Sequence, residues 1–361
     1  MGSRWAGWKT PDVAESALVG LYESIAGLPV EIDSISHERR AVETGSGFTR
    51  VTTTVSLGGG GEEGVGEDVV YDPAAHDQPP VPSLEGSWAS FDDLSTRLAG
   101  LELFREAPPQ PVYQSYRRWA YESAALDLAL GQAGRSLAEA LGREHRPARF
   151  VGSPRTVTVP RWLDLYPALR FKLDPVSAWD DEQVETLVGT GAVDVLDLKG
   201  AYRGTQVDQP PDPRLYRLVG ERFPGAWIED PNLVDDPECA AILEPHHDRI
   251  TWDAVLHSVA DIGRLPFAPR TINVKPSRFG SVRELFGVYE YCEANGIGMY
   301  GGGQFELGPG RGQIQYLASL FHPGGSNDVA PGGYNSVEPV AGLEESPLDP
   351  RPAEKGFRRV A

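Results

Sequence analysis

From residue 148 onward the chain repeats one pattern: a short apolar run, a polar residue, a loop and a helix-like segment. The runs are Phe150–Gly152, Leu169–Leu173, Val193–Leu198, Ala226–Ile228, Ile250–Trp252, Thr271–Val274, Gly298–Tyr300 and Asp328–Ala330. Segments such as Glu182–Val188, Pro213–Arg222 and Ser281–Asn295 separate most of them with helical spacing. Short runs that stay apolar throughout are buried on both faces, and alternation with helices makes the strands parallel. Eight such units in about 180 residues predict a compact (β/α) barrel. Ser153 to Ala168 is too short and too punctuated by proline for a full helix, so the first unit should be abbreviated.

The residues before it read differently. Val30–Ile35, Phe48–Leu57 and Val65–Tyr71 are strand-like, and Gly58–Gly61 with Glu62 and Glu63 turns the chain between the last two, which predicts an antiparallel meander. Gly59, Gly61 and Gly64 formally match the GxGxxG dinucleotide fingerprint. A strand follows instead of a helix, however, and Glu62, Glu63 and Glu67 would repel a pyrophosphate, so the glycines are read as a hairpin. Helices are expected at Phe91–Phe104 and Tyr113–Leu141, ending at the Gly142–Pro147 linker. Strands followed by separate helices describe an α+β unit.

Composition removes several functions. With 33 basic against 52 acidic side chains the net charge is −19, and there is no block of Lys or Arg, so neither nucleic acid nor an anionic membrane is an expected partner. Cys239 and Cys292 lie outside any CxxC or Cys/His cluster, which excludes a disulfide scaffold or zinc finger and suits a reducing cytoplasm. Met1 to Pro29 has no apolar core of a signal peptide, and no run is long enough to span a bilayer, so a cytoplasmic location is expected.

The chemistry lies at the C-terminal ends of the barrel strands, where βα loops converge. Lys172, Asp197, Glu229, Asp253, Lys275 and Glu306 stand there in order. The intervals from Asp197 to Glu229, to Asp253 and to Lys275 are 32, 24 and 22 residues, about one βα unit each. Three carboxylates brought to one point cannot all stay ionised alone, so a cation is implied, and an all-oxygen set favours Mg²⁺ over zinc. Lysines before and after the carboxylates suggest that a lysine of lowered pKa removes a proton next to a substrate carboxylate while the metal stabilises the enediolate.

These residues resemble the enolase superfamily, in particular its muconate-lactonizing-enzyme-like subgroup. The third-strand motif Asp-x-Asn-Gly is similar to Asp197-Leu198-Lys199-Gly200, followed by Ala201 and Tyr202, and the fourth-strand motif to Ile228-Glu229-Asp230-Pro231. The fifth-strand Asp matches Asp253, and the sixth-strand lysine motif resembles Asn273-Val274-Lys275-Pro276-Ser277-Arg278-Phe279-Gly280. The loop after strand seven resembles Gly302-Gly303-Gln304-Phe305-Glu306-Leu307-Gly308. Gly64–Glu67 and Ser123–Leu128 resemble motifs of the capping domain. The resemblance implies an α/β fold, a modified (β/α) TIM-type barrel at 148–330 with an α+β capping domain at 1–147, and a tail at 331–361 that returns to the cap. It further implies an Mg²⁺-dependent isomerase or lyase acting on a small carboxylate substrate. Catalytic Lys172 and Lys275, metal ligands Asp197, Glu229 and Asp253, and substrate contacts from Lys199, Glu306 and Asp174 follow from it. Family members commonly associate, which makes a homo-oligomer an open expectation.

Departures from the family define the alternatives. Lys-x-Lys on the second strand has become Arg170-Phe171-Lys172-Leu173-Asp174, which leaves Lys172 or Asp174 at the base position, with Lys172 preferred. Lys199 replaces an asparagine, and Ala254 and Val255 replace the usual Glu-Ser. Strand seven carries no His, which disfavours a mandelate-racemase-like dyad, and Asp328-Val329-Ala330 has half of the dipeptide epimerases' Asp-x-Asp. Dehydration of succinylbenzoate-synthase type, cycloisomerisation and racemisation of N-acylamino acids remain. A non-catalytic metal-binding barrel and a phosphate-binding barrel using Gly301–Gly303 and Gly308–Gly312 are readings of other classes. Substrate choice is expected from cap loops near 15–30 and 43–48. His246 and His247 are read as a solvated loop.

Overall fold

The computed structural model describes residues 20–44, 48–202, 205 and 207–360. Of the cap loops expected to choose substrate, residues 15–19 and 45–47 lie outside the described residues.

Strands β1 (Val30–Ile32), β2 (Ser34–Glu43), β3 (Thr49–Gly59), β4 (Glu62–Asp68) and β5 (Gly86–Trp88) belong to the N-terminal unit. β2, β3 and β4 form an antiparallel meander, and β1 pairs with β5. The β3–β4 turn places Gly60 and Gly61 at φ 59° and 81°, a left-handed conformation that glycine adopts freely, so the glycine run is a hairpin. β4 lies directly on the helix Val112–Gln132: a Cβ at Gly66 would come within 2.0 Å of the Ala120 carbonyl oxygen. The single helix expected over Tyr113–Leu141 is two, Val112–Gln132 and Leu137–Leu141. Gly134, at φ 65°, ends the first, and Ser136 opens the second through a reciprocal capping box with Glu139. The expected helix at Phe91–Phe104 stops at Ala99, before Gly100.

The second unit is the parallel one. β6 (Val151–Gly152), β7 (Arg170–Leu173), β8 (Val193–Asp197), β9 (Trp227–Glu229) and β10 (Ile250–Thr251) hydrogen-bond in sequence order. β11 (Thr271–Val274) and β12 (Gly298–Gly301) form a further parallel pair. Asn273 N–H donates to the Trp252 carbonyl at 3.0 Å and joins β11 to β10. Asp328 N–H to Gly301 O at 2.7 Å and Val151 N–H to Asn327 O at 2.8 Å close the ring. The eighth strand expected at Asp328–Ala330 is reduced to isolated bridges, Gly302 with Asp328 and Phe150 with Asn327. Side-chain bonds do the pairing there: the Asn327 amide accepts from Gly301 N–H at 2.6 Å and donates to Arg149 O at 2.8 Å. Pro331 then removes the next donor. The first βα connection is abbreviated, as expected, to the helix Val159–Leu165.

Cap and barrel meet where the helix Pro276–Phe279, just after β11, packs on Val112–Gln132. Gly280 turns away at φ 71°, and a Cβ there would sit 3.0 Å from the Ser115 Cα. The C-terminal segment crosses both units. Ala148 and Leu348 exchange backbone hydrogen bonds at 3.0 and 2.7 Å, and Tyr334 packs between Phe150 and Trp162. Farther on, Phe357 N–H donates to Asp127 at 3.0 Å, and Gly356 bonds the backbone of Arg135 and Leu137. Among the described residues no helix is long and apolar enough to cross a membrane.

Candidate active site

The alternation of buried strands sends Lys172, Asp197 and Glu229 into the ring from β7, β8 and β9, while Asp253 and Lys275 follow the last residues of β10 and β11. All five are buried. Lys172 Nζ bonds Glu229 Oε1 and lies 3.1 Å from Asp197 Oδ2. Lys275 Nζ lies 2.9 Å from Asp253 Oδ2. β7 and β11 flank the three carboxylate-bearing strands, so the two lysines enter the cluster from different sides.

Further side chains extend it. Asp230 directly follows Glu229, and strand alternation would point it outward; its backbone instead adopts φ 46°, and its carboxylate accepts the N–H groups of Asp253 and Ala254, each at 2.9 Å. Arg278 reaches both Asp253 oxygens, at 2.8 and 3.2 Å. Tyr202 donates to Asp253 at 3.0 Å and accepts from Arg278 at 2.8 Å. Tyr300 donates to Glu229 Oε2, which Asn273 Nδ2 also approaches at 3.3 Å.

Oxygens of Asp197, Glu229 and Asp230 lie within 4.8 Å of one another and are wholly buried. A buried all-oxygen set of this size fits a hard divalent cation. Asp253, expected as the third ligand, is not among these three, and Arg278, Lys275 and Tyr202 hold its oxygens. The cationic partners of the cluster are therefore in large part its own side chains: Lys172, Lys199, Lys275 and Arg278 face Asp197, Glu229 and Asp253.

Burial and charge pull against each other here. Burial alone would lower Lys172, but Asp197 and Glu229 outweigh it and hold the ammonium form well above the ordinary lysine range, opposite to the lowered pKa expected of a base. Burial would raise Asp197 and Asp253. Lys172 and Lys199 reverse this for the first, and Arg278 and Lys275 for the second, so both stay ionised. Asp230, which meets no side-chain cation among the described residues, is pushed up to about 7 by burial and by Asp253 and Asp197.

The remaining expected residues divide. Lys199 joins the cluster, its ammonium bonding Asp197 Oδ2, whereas Asp174 stays at the exposed rim, 3.4 Å from Lys199. Lys172, not Asp174, is the β7 residue inside the ring. Glu306 is not brought to the cluster: its carboxylate folds back to accept the Gln304 N–H at 2.8 Å, beside the cap residue Glu67. His247 stacks on Phe267 and His246 bonds Arg249, away from these residues. The sequence reading leaves Tyr300, Tyr202, Arg278 and Asp230 without a role; strand-end position was a signal for Tyr300 and Asp230, whereas Tyr202 and Arg278 lie beyond the strand ends.

Residues 144–336 match the family model described as Domain of unknown function (DUF8230) C-terminal domain, and residues 23–140 its N-terminal domain. An N-succinylamino acid racemase of Amycolatopsis sp is 31% identical over 216 residues, 56% of either chain. An o-succinylbenzoate synthase of Bacillus subtilis is 28% identical over 212 residues, 55% of either chain. The chain thus spans about half the length of the curated relatives it matches. A dipeptide epimerase from Methylococcus capsulatus, solved with Mg ion, aligns with TM-score 0.62 at 20% identity, covering 86% of this chain and 92% of that one. Muconate cycloisomerase from Pseudomonas fluorescens aligns with TM-score 0.59 at 20% identity, covering 83% and 87%. With both of its domain models matched in order, the chain belongs to the DUF8230 family and carries the fold of the enolase superfamily, an α+β cap on a parallel α/β barrel.

Proposed function

We propose that the protein is a divalent-metal-assisted enzyme that removes a proton next to the carboxylate of a small acid. The observation that carries this reading is the pair of buried lysines, Lys172 and Lys275, set on strands that flank a buried carboxylate group. Asp197, Glu229 and Asp230 would hold Mg²⁺, which when bound offsets the negative charge that grows on the substrate carboxylate as the proton leaves. Lys172 and Lys275 exchange protons at Nζ from their two sides, one taking the α-proton and the other positioned to return one to the opposite face or to assist a leaving group. Arg278 and Tyr202 hold Asp253, which fixes Lys275, and Tyr300 and Asn273 hold Glu229, which fixes Lys172. The named activities of the curated relatives make an N-succinylamino acid the first substrate to try. The reading keeps the division into a cap to residue 147, a barrel over 148–330 and a returning tail.

Incubation of the Mg²⁺-loaded protein with an N-succinylamino acid and with muconate in D₂O, followed by NMR, tests it. Solvent deuterium should enter the α-position, and Lys275→Ala should stop the exchange. Exchange that persists unchanged in Lys275→Ala would sink the assignment. Absence of exchange in the wild type with a panel of such acids would favour the non-catalytic barrel, a reading that the cluster's extensive internal ion pairing already recommends.

A further inference from the structure

Lys199 differs from Lys172 in having one of its two carboxylate partners outside the candidate metal group. Its backbone sits at φ 55°, and from there its N–H donates to Asp197 Oδ1 at 3.1 Å while its ammonium donates to Asp197 Oδ2. One residue thus engages both oxygens of a carboxylate in the candidate metal group. Lys172 is wedged between Asp197 and Glu229 inside the ring, with its side chain 4% exposed. The Lys199 side chain is 15% exposed and reaches outward, with Asp174 Oδ1 only 3.4 Å from its ammonium, on a side chain that is 55% exposed. A divalent ion entering among Asp197, Glu229 and Asp230 would join two ammonium groups already on Asp197 Oδ2, those of Lys172 and Lys199, and a third cation at that buried carboxylate would be repelled by both.

We propose that Lys199 is a built-in competitor of the divalent cation: its ammonium occupies Asp197 until the ion binds, then withdraws to Asp174 at the rim. The chain's metal affinity is then set by an exchange of cations on Asp197 rather than by filling a free site. The inference rests on the assignment of Asp197, Glu229 and Asp230 as metal ligands. It also gives Asp174 a part that neither base nor substrate contact would give it, as the receiving station for a displaced charge.

Titration calorimetry of the full chain with Mg²⁺ alone, with no substrate present, separates these claims. Lys199→Asn removes the charge and keeps a residue that tolerates positive φ, so it should tighten Mg²⁺ binding about tenfold or more. Lys199→Arg, which keeps the charge, should not tighten it. Asp174→Asn leaves the ammonium with Asp197 only and should weaken binding about threefold to tenfold, the opposite sign from Lys199→Asn. That second variant lies at the exposed rim and tests the exchange even if Lys199→Asn fails to fold. Equal affinities of wild type and Lys199→Asn, or tighter binding by Asp174→Asn, overturn the inference while leaving the metal site standing. No Mg²⁺ binding by wild type, Lys199→Asn or Asp174→Asn would overturn the metal assignment and this inference together.

Discussion

Two regions bury charge, and they satisfy it in opposite ways. At the seam between cap and barrel, Arg50 donates to the carbonyls of Val51, Val69, Val70, Gln304 and Phe305, the last two on the barrel loop. Nearby, Glu67 accepts the N–H groups of Leu307, Gly308 and Gly310 at the start of the helix Pro309–Phe321. Each charge there is held by main chain, which cannot move aside without unfolding something. In the barrel mouth, Asp230 and its two backbone donors apart, the same kinds of side chain hold one another: lysines and Arg278 on carboxylates, tyrosines on both. A partner of that sort can be exchanged for a ligand by rotating a few torsions. The type of partner, more than burial, separates a charge that builds the fold from one available for chemistry.

If the contrast is right, substitutions should divide by assay. Lys275→Ala should cost about 10³-fold in proton exchange, yet little stability, because Asp253 keeps Arg278 and Tyr202; kinetics beside urea unfolding checks both halves. Arg50→Met should do the reverse, destabilising by about 4 kcal/mol in urea through five stranded carbonyls, with the residual folded fraction still exchanging protons. Comparable stability losses in both variants would erase the distinction.

His322 tests a buried group that stands between the two kinds. Its Nδ1 meets Asn327 Oδ1 at 2.7 Å, and burial pushes its pKa down to about 4. The unfolded chain takes up this proton near pH 6.5, so the stabilising effect of the neutral ring is complete above that pH and is lost as pH falls towards 4. That loss amounts to about 3 kcal/mol, and His322→Phe should remove it; urea midpoints at pH 7 and 4.5 would show a smaller acid drop in the variant. The smallest effect is expected from Glu306→Gln: one N–H bond to Gln304 is at stake, so about 1 kcal/mol and no change in proton exchange. A large kinetic defect there would return Glu306 to the substrate side.

The backbone plan was legible because a strand–helix cadence depends on apolar spacing, and the lysines and acids at the strand ends inherit their position from it. What escaped was local geometry. Asp230 and Lys199 enter the cluster only through left-handed backbone at φ 46° and 55°, which the alternation of a strand does not foretell. Tyr300 stands at a strand end but acts through a hydroxyl at the far end of its ring, and Arg278 reaches back from the turn after β11, off the strand end. The eighth strand departs from expectation for a related reason: the Asn327 side chain provides there the pairing that main chain provides elsewhere. Glu306 matched a motif in its loop, but the side chain's direction depended on Gly303 leaving room beside it, and a Cβ at that glycine would come within 2.0 Å of the Glu306 carboxylate.

The contact between Asp127 and the C-terminal segment bears on the order in which the protein matures on the ribosome. Its carboxylate lies under the cap, where it accepts Val65 N–H and Phe357 N–H and faces Arg358 at 3.0 Å, and burial pushes it up to about 6. Residues 20–147 leave the exit tunnel before the barrel does, but this acid lacks two of its three partners until residue 358 has been made. The cap, made before the barrel, is thus finished after it, and a nascent cap would wait, incompletely closed, for the barrel to be threaded out behind it.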